Sequence, residues 1–262
     1  MIGCIIQARM GSSRLPNKTM KLIDKKIPML EQVIKQIKFC KEFDKIVVAT
    51  TTNKEDDEIF DFVTKLEIPC FRGSEKDLLD RYYMCAKNFS FKTIVRITSD
   101  CPLIDPEITD QIVSEFKSNE YDFTSNTIKR TYPRGLDVEV FSFTALEESW
   151  KNARLPSERE HVTPYFKNNK EKFRIKNVKN NVDLSHLRWA LDYEEDLKLI
   201  QEIIKKISKN PIHMKDILEL FDKEPNLPQI NKNNPTPTER SLSSFSLTRS
   251  PILMFLHGIV IQ

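Results

Sequence analysis

The chain has 262 residues, enough to bury one large α/β core without disulfide or metal staples. With 39% hydrophobic and 30% charged residues it is too apolar for general disorder, and a formal net charge of +3 does not mark a partner of nucleic-acid polymers. Its five cysteines (Cys4, Cys40, Cys70, Cys85, Cys101) lie far apart and form no Cys-x-x-Cys pair, which argues against a zinc knuckle or a disulfide framework and for a reducing cytoplasm.

The N-terminus lacks the pattern of a signal peptide, and residues 2–8 predict a first strand instead. A basic loop follows, then a helix over 29–40, a strand over 45–51, a helix over 55–66, a short strand and a helix over 77–88. Residues 93–97 predict a strand and 107–117 a helix. From about 121 to 171 the pattern loosens into strands at 121–126 and 137–143 and helices at 144–153 and 158–168, an excursion that covers the sheet edge or meets a second subunit. A strand over 187–191 and a helix over 194–207 close the series. This alternation implies a mostly parallel sheet with helices on both faces, where ligands bind at the carboxyl ends of the strands. Residues 1–230 read as one domain. Residues 231–262 are rich in Asn, Pro, Ser and Thr, a linker-like tail whose role the sequence leaves open; its apolar end, 252–262, is too short to span a bilayer.

The first loop reads Gln7-Ala8-Arg9-Met10-Gly11-Ser12-Ser13-Arg14-Leu15-Pro16-Asn17-Lys18. A triphosphate needs closely approaching N–H groups, which Gly11 permits, and cations, which Arg9, Arg14 and Lys18 supply. The spacing is neither a Walker A loop nor a dinucleotide fingerprint. A solvated Gly-Ser-Ser turn is the alternative.

The segment Ile6-Gln7-Ala8-Arg9-Met10-Gly11-Ser12-Ser13-Arg14-Leu15-Pro16-Asn17-Lys18 resembles the N-terminal signature of cytidylyltransferases related to CMP-sialate and CMP-Kdo synthetases, most closely the spore coat polysaccharide (SpsF-like) branch. The likeness runs over roughly residues 1–225. It implies a Rossmann-like, nucleotide-diphospho-sugar transferase fold and a Mg²⁺-dependent transfer of CMP from CTP to a sugar or sugar acid, with pyrophosphate released. It also implies a homodimer, and CTP phosphates held by Arg9, Gly11, Ser12, Arg14 and Lys18, with Ala8 counted among the nucleotide-binding residues.

Two aspartates are candidates for the metal: Asp100, at the end of the strand over 93–97, and Asp192, after the apolar run 187–191. A hard cation of this kind takes one or two carboxylates plus water and phosphate oxygens. Capping of the following turns is the competing role for both, and the resemblance supports the metal. With Arg9 and Lys18 they form the candidate catalytic set. Asp105, before Pro106 and Glu107, reads as a helix cap, and Glu194, Glu195 and Asp196 suit a helix start.

The resemblance places Thr50, Gly73 and Ser74 near the nucleoside, although Ser74 and Asp77 also read as caps. For the sugar, Arg134 offers a planar fork to a carboxylate, and Asp137, Glu139, Glu160 and His161 are candidates for the same cleft. The chain has only five glycines, and three of them (Gly11, Gly73, Gly135) fall in these loops, where close approach or unusual dihedrals would retain them. Two rivals stay open: a glycosyltransferase of the same fold, which would ordinarily carry an Asp-x-Asp that Asp100-Cys101-Pro102 lacks, and a non-catalytic nucleotide-binding subunit.

Overall fold

The computed structural model describes residues 1–24, 26–118 and 120–235, and residues 1–232 form one compact unit. The apolar end at 252–262 lies outside the described residues. The elements run β1 (Ile2–Gln7), α1 (Met29–Ile37), β2 (Lys45–Thr51), α2 (Asp57–Lys65), β3 (Cys70–Gly73), α3 (Leu78–Asn88), β4 (Thr93–Thr98) and α4 (Pro106–Ser118). They continue with β5 (Phe123–Ser125), β6 (Glu139–Ser142), α5 (Phe143–Asn152), α6 (Pro156–His161), α7 (Pro164–Asn168), β7 (Ile175–Asn177), α8 (Glu194–Lys206) and α9 (Met214–Lys223).

The strands form one seven-stranded sheet in the order β3-β2-β1-β4-β6-β5-β7. β1, β2, β3 and β4 pair in parallel, β6 runs antiparallel to both β4 and β5, and β7 is parallel to β5. The mixed, mostly parallel α/β sheet expected from the alternation is therefore present. The excursion, however, builds the sheet: β6 lies directly beside β4.

Alternation along β1 sorts the core. Cys4, Ile6 and Ala8 pack with α1, α2, α4 and α8 on one face, while Ile5 packs with α3 and α5 on the other. Helix α1 shows why these segments are helical: Met29, Leu30, Val33, Ile34 and Ile37 fall on one stripe at helical spacing and are fully or almost fully buried. Each such side chain contributes about 1.5–3 kcal/mol over leaving it exposed.

Two expectations need correction. The run 187–191 is extended but forms no strand of the sheet; it meets the 134 loop through a single bridge between Arg134 and Arg188. The Arg134 N–H donates to the Leu187 carbonyl at 2.9 Å and the Trp189 N–H to the Arg134 carbonyl at 2.6 Å, so a bent loop takes the place of a neighbouring strand. Gly135 permits the bend, with φ of 108° and a missing Cβ that would lie 2.7 Å from the Ala190 nitrogen. The helix expected over 158–168 is two short helices. Val162 between them has φ of 67°, and Pro164 has no N–H with which to continue the ladder. Strand β7 and helix α9 escaped the sequence reading altogether.

A Gly135→Ala protein is expected to lose roughly 1–3 kcal/mol of stability from the backbone conformation alone, with the close contacts adding to that. Urea unfolding checks this, and a loss under 0.5 kcal/mol would contradict it.

Candidate functional site

The carboxyl ends of β1 and β4 meet at a cleft of about 380 Å³. β1 and β4 are in register with Gln7 opposite Thr98, so the loop after one strand faces the loop after the other. The lining includes Ala8, Arg9, Gly11, Ser12, Arg14 and Lys18 from the first loop, Asp100 from the β4 loop, and Glu160 and His161 from the end of α6.

The first loop is held by buried groups beneath it. Asp56, fully buried, accepts from the Met10 N–H at 2.7 Å and from the Thr51 hydroxyl. The Thr19 hydroxyl donates to the Arg9 carbonyl at 2.9 Å. Asn17 turns the chain in the left-handed region (φ 56°), a conformation Asn tolerates, and Lys18 follows at the start of a short helical turn. Gly11 is not required by backbone strain; a Cβ there would meet only the Glu55 carboxylate, at 3.3 Å. Its lack of a side chain leaves backbone bare at the cleft.

Lys18 then organises the centre. Its Nζ donates to Asp100 Oδ2 at 2.8 Å, to Asp192 Oδ1 at 2.9 Å and to the Leu191 carbonyl at 3.0 Å. Two carboxylates separated by more than ninety positions in sequence thus lie within reach of one ammonium group. The Leu191 N–H donates to the Asp100 carbonyl at 2.8 Å, which fixes the Asp192 segment against the β4 loop. Asp192 also accepts from Arg14, and from Arg188 at 2.6 Å. Asp100 accepts in addition from the Thr98 hydroxyl at 2.6 Å.

The electrostatics follow from these contacts. Burial pushes the Asp100 carboxyl up, but Lys18 and the hydrogen bonds from Lys18, Thr98 and Cys101 outweigh it and bring the group to about 2. Asp192 is also lowered: burial and the nearby Asp100 charge raise it, and Lys18 with Arg14 more than offsets them. Burial lowers Lys18, yet the two aspartates together raise it above its ordinary value.

The other expected site residues divide. Thr50 is fully buried with an unpartnered hydroxyl and does not line the cleft. Gly73 and Ser74 do not line it either. The Ser74 hydroxyl accepts from the Asp77 N–H at 3.1 Å as a turn cap, and a Cβ at residue 73 would sit 3.1 Å from Arg81 Cγ, so this glycine makes room for Arg81. Asp137 is clamped by Arg130 Nη1 and Nη2, at 2.5 and 2.7 Å, and is not among the residues that line the cleft. Glu139 is buried beneath the sheet end, holding Arg96, Lys167, Thr163 and Thr127, and this set keeps its carboxyl near 2 against the cost of burial. Arg134 is half-buried outside the lining. Burial is the largest cause that lowers its pKa; Arg130 and Arg188 lower it as well, while Asp137 and Asp192 oppose them, so it sits among charges of both signs. Asp105 caps α4, accepting from the Glu107 N–H at 2.8 Å, and Asp196 accepts from the Asp192 and Tyr193 N–H groups at the start of α8.

Arg81 was missed. It is 3% exposed, lines the cleft, and its Nε and Nη1 are buried without a hydrogen-bond partner among the described residues. Burial lowers its pKa and Arg9 adds to that, while Tyr82, Asp56 and Glu75 oppose the shift without reversing it. A buried cation in that condition is costly unless an acceptor meets it. The signal was legible in α3, where Leu78, Leu79, Tyr82, Tyr83, Cys85 and Ala86 mark the buried stripe and Arg81 is a charge set within it.

Residues 3–227 match the profile of a family described as cytidylyltransferase. The chain belongs to that family. This cytidylyltransferase chain is 40% identical over 232 residues to an uncharacterised protein of Methanocaldococcus jannaschii, covering 87% of the chain and 93% of that protein. It is 28% identical over 230 residues to the spore coat polysaccharide biosynthesis protein SpsF of Bacillus subtilis, covering 84% and 94%. Its fold matches a solved cytidylyltransferase of Leptospira borgpetersenii serovar Hardjo-bovis with a TM-score of 0.84 and 37% identity, covering 90% and 98%. The sheet and its crossovers are thus the Rossmann-like nucleotidyltransferase fold. Among the described residues of the cytidylyltransferase no helix is long and apolar enough to cross a membrane.

The central ion pairs carry a pH dependence. Asp100 is depressed to about 2 from its ordinary 3.8, so its contribution to stability is present above 3.8 and is lost as pH falls through about 2. Lys18 is raised above 10.5, so its contribution is present below 10.5 and is lost as pH rises through the elevated value. Replacing Asp100 by Asn should flatten the acid limb of urea-midpoint against pH and leave the neutral region nearly level. Parallel acid limbs for parent and variant would show that Asp100 is not coupled to folding.

Proposed function

We propose that this protein transfers CMP from CTP to a hydroxyl of a sugar or sugar acid, releasing pyrophosphate, as a step in making a surface polysaccharide. The observation that carries the reading is Lys18 holding Asp100 and Asp192 together beside the loop that presents Arg9, Gly11, Ser12 and Arg14. Family membership supports the nucleotide, and the name of the Bacillus subtilis relative supports the polysaccharide context.

Asp100 and Asp192 offer hard oxygen ligands within the span of one ammonium. Among the described residues no group of three or more His, Cys, Asp or Glu could hold an ion alone. That combination suits Mg²⁺, which is ordinarily held by one or two carboxylates plus substrate phosphates. When bound, Mg²⁺ would neutralise charge developing on the phosphate oxygens.

The chain's own residues supply the rest. Lys18 and Arg14 now neutralise the aspartates, and with Arg9 they are the cations a triphosphate would draw towards itself. The bare backbone at Gly11 and Ser12 admits phosphate oxygens closely. The acceptor hydroxyl attacks the α-phosphorus as the bond to the β-phosphate oxygen breaks, and the hydroxyl proton passes to solvent. Catalysis rests on positioning and electrostatics. Arg134, half-buried, offers a planar fork to the carboxylate of a sugar acid, while Glu160 and His161 line the cleft for sugar hydroxyls.

Pyrophosphate release from CTP, measured over a panel of neutral sugars and sugar acids with and without Mg²⁺, tests the reading. Asp100→Asn is expected to slow it roughly a hundredfold or more. Nucleoside diphosphate release from a sugar nucleotide, with none of pyrophosphate from CTP, would replace it with a glycosyltransferase. Arg81→Met separates ligand binding from structure: removal of an unpaired buried cation should keep or raise the thermal midpoint of the nucleotide-free protein and weaken CTP binding about tenfold or more. A lower midpoint with unchanged CTP affinity would make Arg81 a structural residue.

A further inference from the structure

The half-buried Gln7, the last residue of β1, lines the cleft but belongs to none of the groups assigned so far. Its Oε1 accepts from Arg96 Nε at 3.1 Å and from the Tyr82 hydroxyl at 3.2 Å. Arginine nitrogens can only donate, so the oxygen end of the amide is fixed against Arg96 and the NH₂ end is turned the other way. No described residue accepts from that NH₂. Arg96 is itself held, through Nη1 to Glu139 at 2.5 Å, and Glu139 is anchored by Thr163 at 2.9 Å and Lys167 at 3.1 Å. A chain of buried charges thus ends on an uncharged donor at the cleft.

The side of the cleft indicates what this donor meets. Ile5 packs on the α3 face of the sheet and alternation puts Gln7 on the same side, whereas Cys4, Ile6 and Ala8 face α1. The α3 side also brings to the cleft Leu78, an apolar surface only 7% exposed, and Arg81 with its unpartnered nitrogens. The phosphate-type cations lie in the loop of residues 9–18. An apolar surface combined with oriented donors suits a flat ring with acceptor atoms on its edge. Cytosine and uracil share the O2 acceptor, but N3 is an acceptor in cytosine and a donor N–H in uracil.

We propose that Gln7 reads the base of the bound nucleotide, its amide NH₂ donating to the ring-nitrogen acceptor N3 of cytosine, and that Arg96 and Tyr82 are the positioning residues that aim it. The inference rests on the CTP-binding reading above. A site built around such a donor discriminates strongly against an analogue that cannot accept from it.

The full-length protein, Gln7→Glu, Gln7→Met and Arg96→Lys are compared by calorimetry for binding of CTP, UTP and inorganic tripolyphosphate. Gln7→Glu keeps an oxygen facing Arg96 and Tyr82 but exchanges the NH₂ for a second acceptor oxygen and adds a charge, while Gln7→Met removes both ends of the amide without adding charge. The parent is expected to prefer CTP over UTP at least tenfold. Both Gln7 variants should weaken CTP about tenfold, bring the CTP-to-UTP ratio near one, and leave tripolyphosphate within twofold of the parent. Arg96→Lys keeps a charge for Glu139 but not the Nε contact, and should lower the ratio in the same direction without changing tripolyphosphate binding. CTP affinity within twofold of the parent in both Gln7 variants, or an equal loss for tripolyphosphate in Gln7→Met, overturns the assignment. An unchanged ratio in Arg96→Lys overturns the positioning role. A parent that binds no CTP would bring down the nucleotide reading itself, an outcome distinct from a parent that binds CTP but is indifferent to residue 7.

Discussion

The site depends on one ammonium group placed between two carboxylates. Asp100 and Asp192 repel each other, and their separate loops have no covalent reason to meet. Lys18, by donating to both and to the Leu191 carbonyl, turns that repulsion into a three-way attraction. Because it belongs to the first loop, the same contact also positions the segment of residues 9–18 over the sheet. The charge centre of the cleft and the closure of the fold around it therefore share a residue, and a change in the charge at the centre is felt by both.

Behind this centre stand buried charges whose work is placement. Asp56 ties down the first loop, Asp196 joins the start of α8 to Arg188 and Asn231, and Glu139 gathers Arg96, Lys167 and Thr163. Taking such groups out of water is costly, and each is compensated by several hydrogen bonds rather than one. An apolar core of equal volume could match the stability but could not fix the direction of a guanidinium or an amide. Arg81 stands apart from this pattern: it is buried like the others, with two of its nitrogens unmatched.

The excursion shows how function is divided across the sheet. β1 and β4 carry the loops that meet at the cleft, while β6, inserted beside β4, brings in Glu139, and the helices that follow supply Glu160 and His161. The break at Val162 between α6 and α7 lets Glu160 and His161 reach the cleft while Thr163 turns inward to Glu139.

Local signals settled much of this from sequence. Helical stripes such as that of α1, the β-rich runs of β1, β2 and β4, and the glycine-bearing basic loop were legible because each depends on neighbours within a few positions. Asp100 stood out for the same reason, as a carboxylate directly after a buried strand. The joining of Asp192 to Asp100, the withdrawal of Asp137 and Glu139 into ion pairs, the bent path of 187–191 and the orphaned state of Arg81 were decided only by tertiary structure. Period and composition report which face of an element is buried. Which charge meets which is set by contacts across tens of residues, where a polar side chain has several satisfactory partners and only the packed fold selects among them.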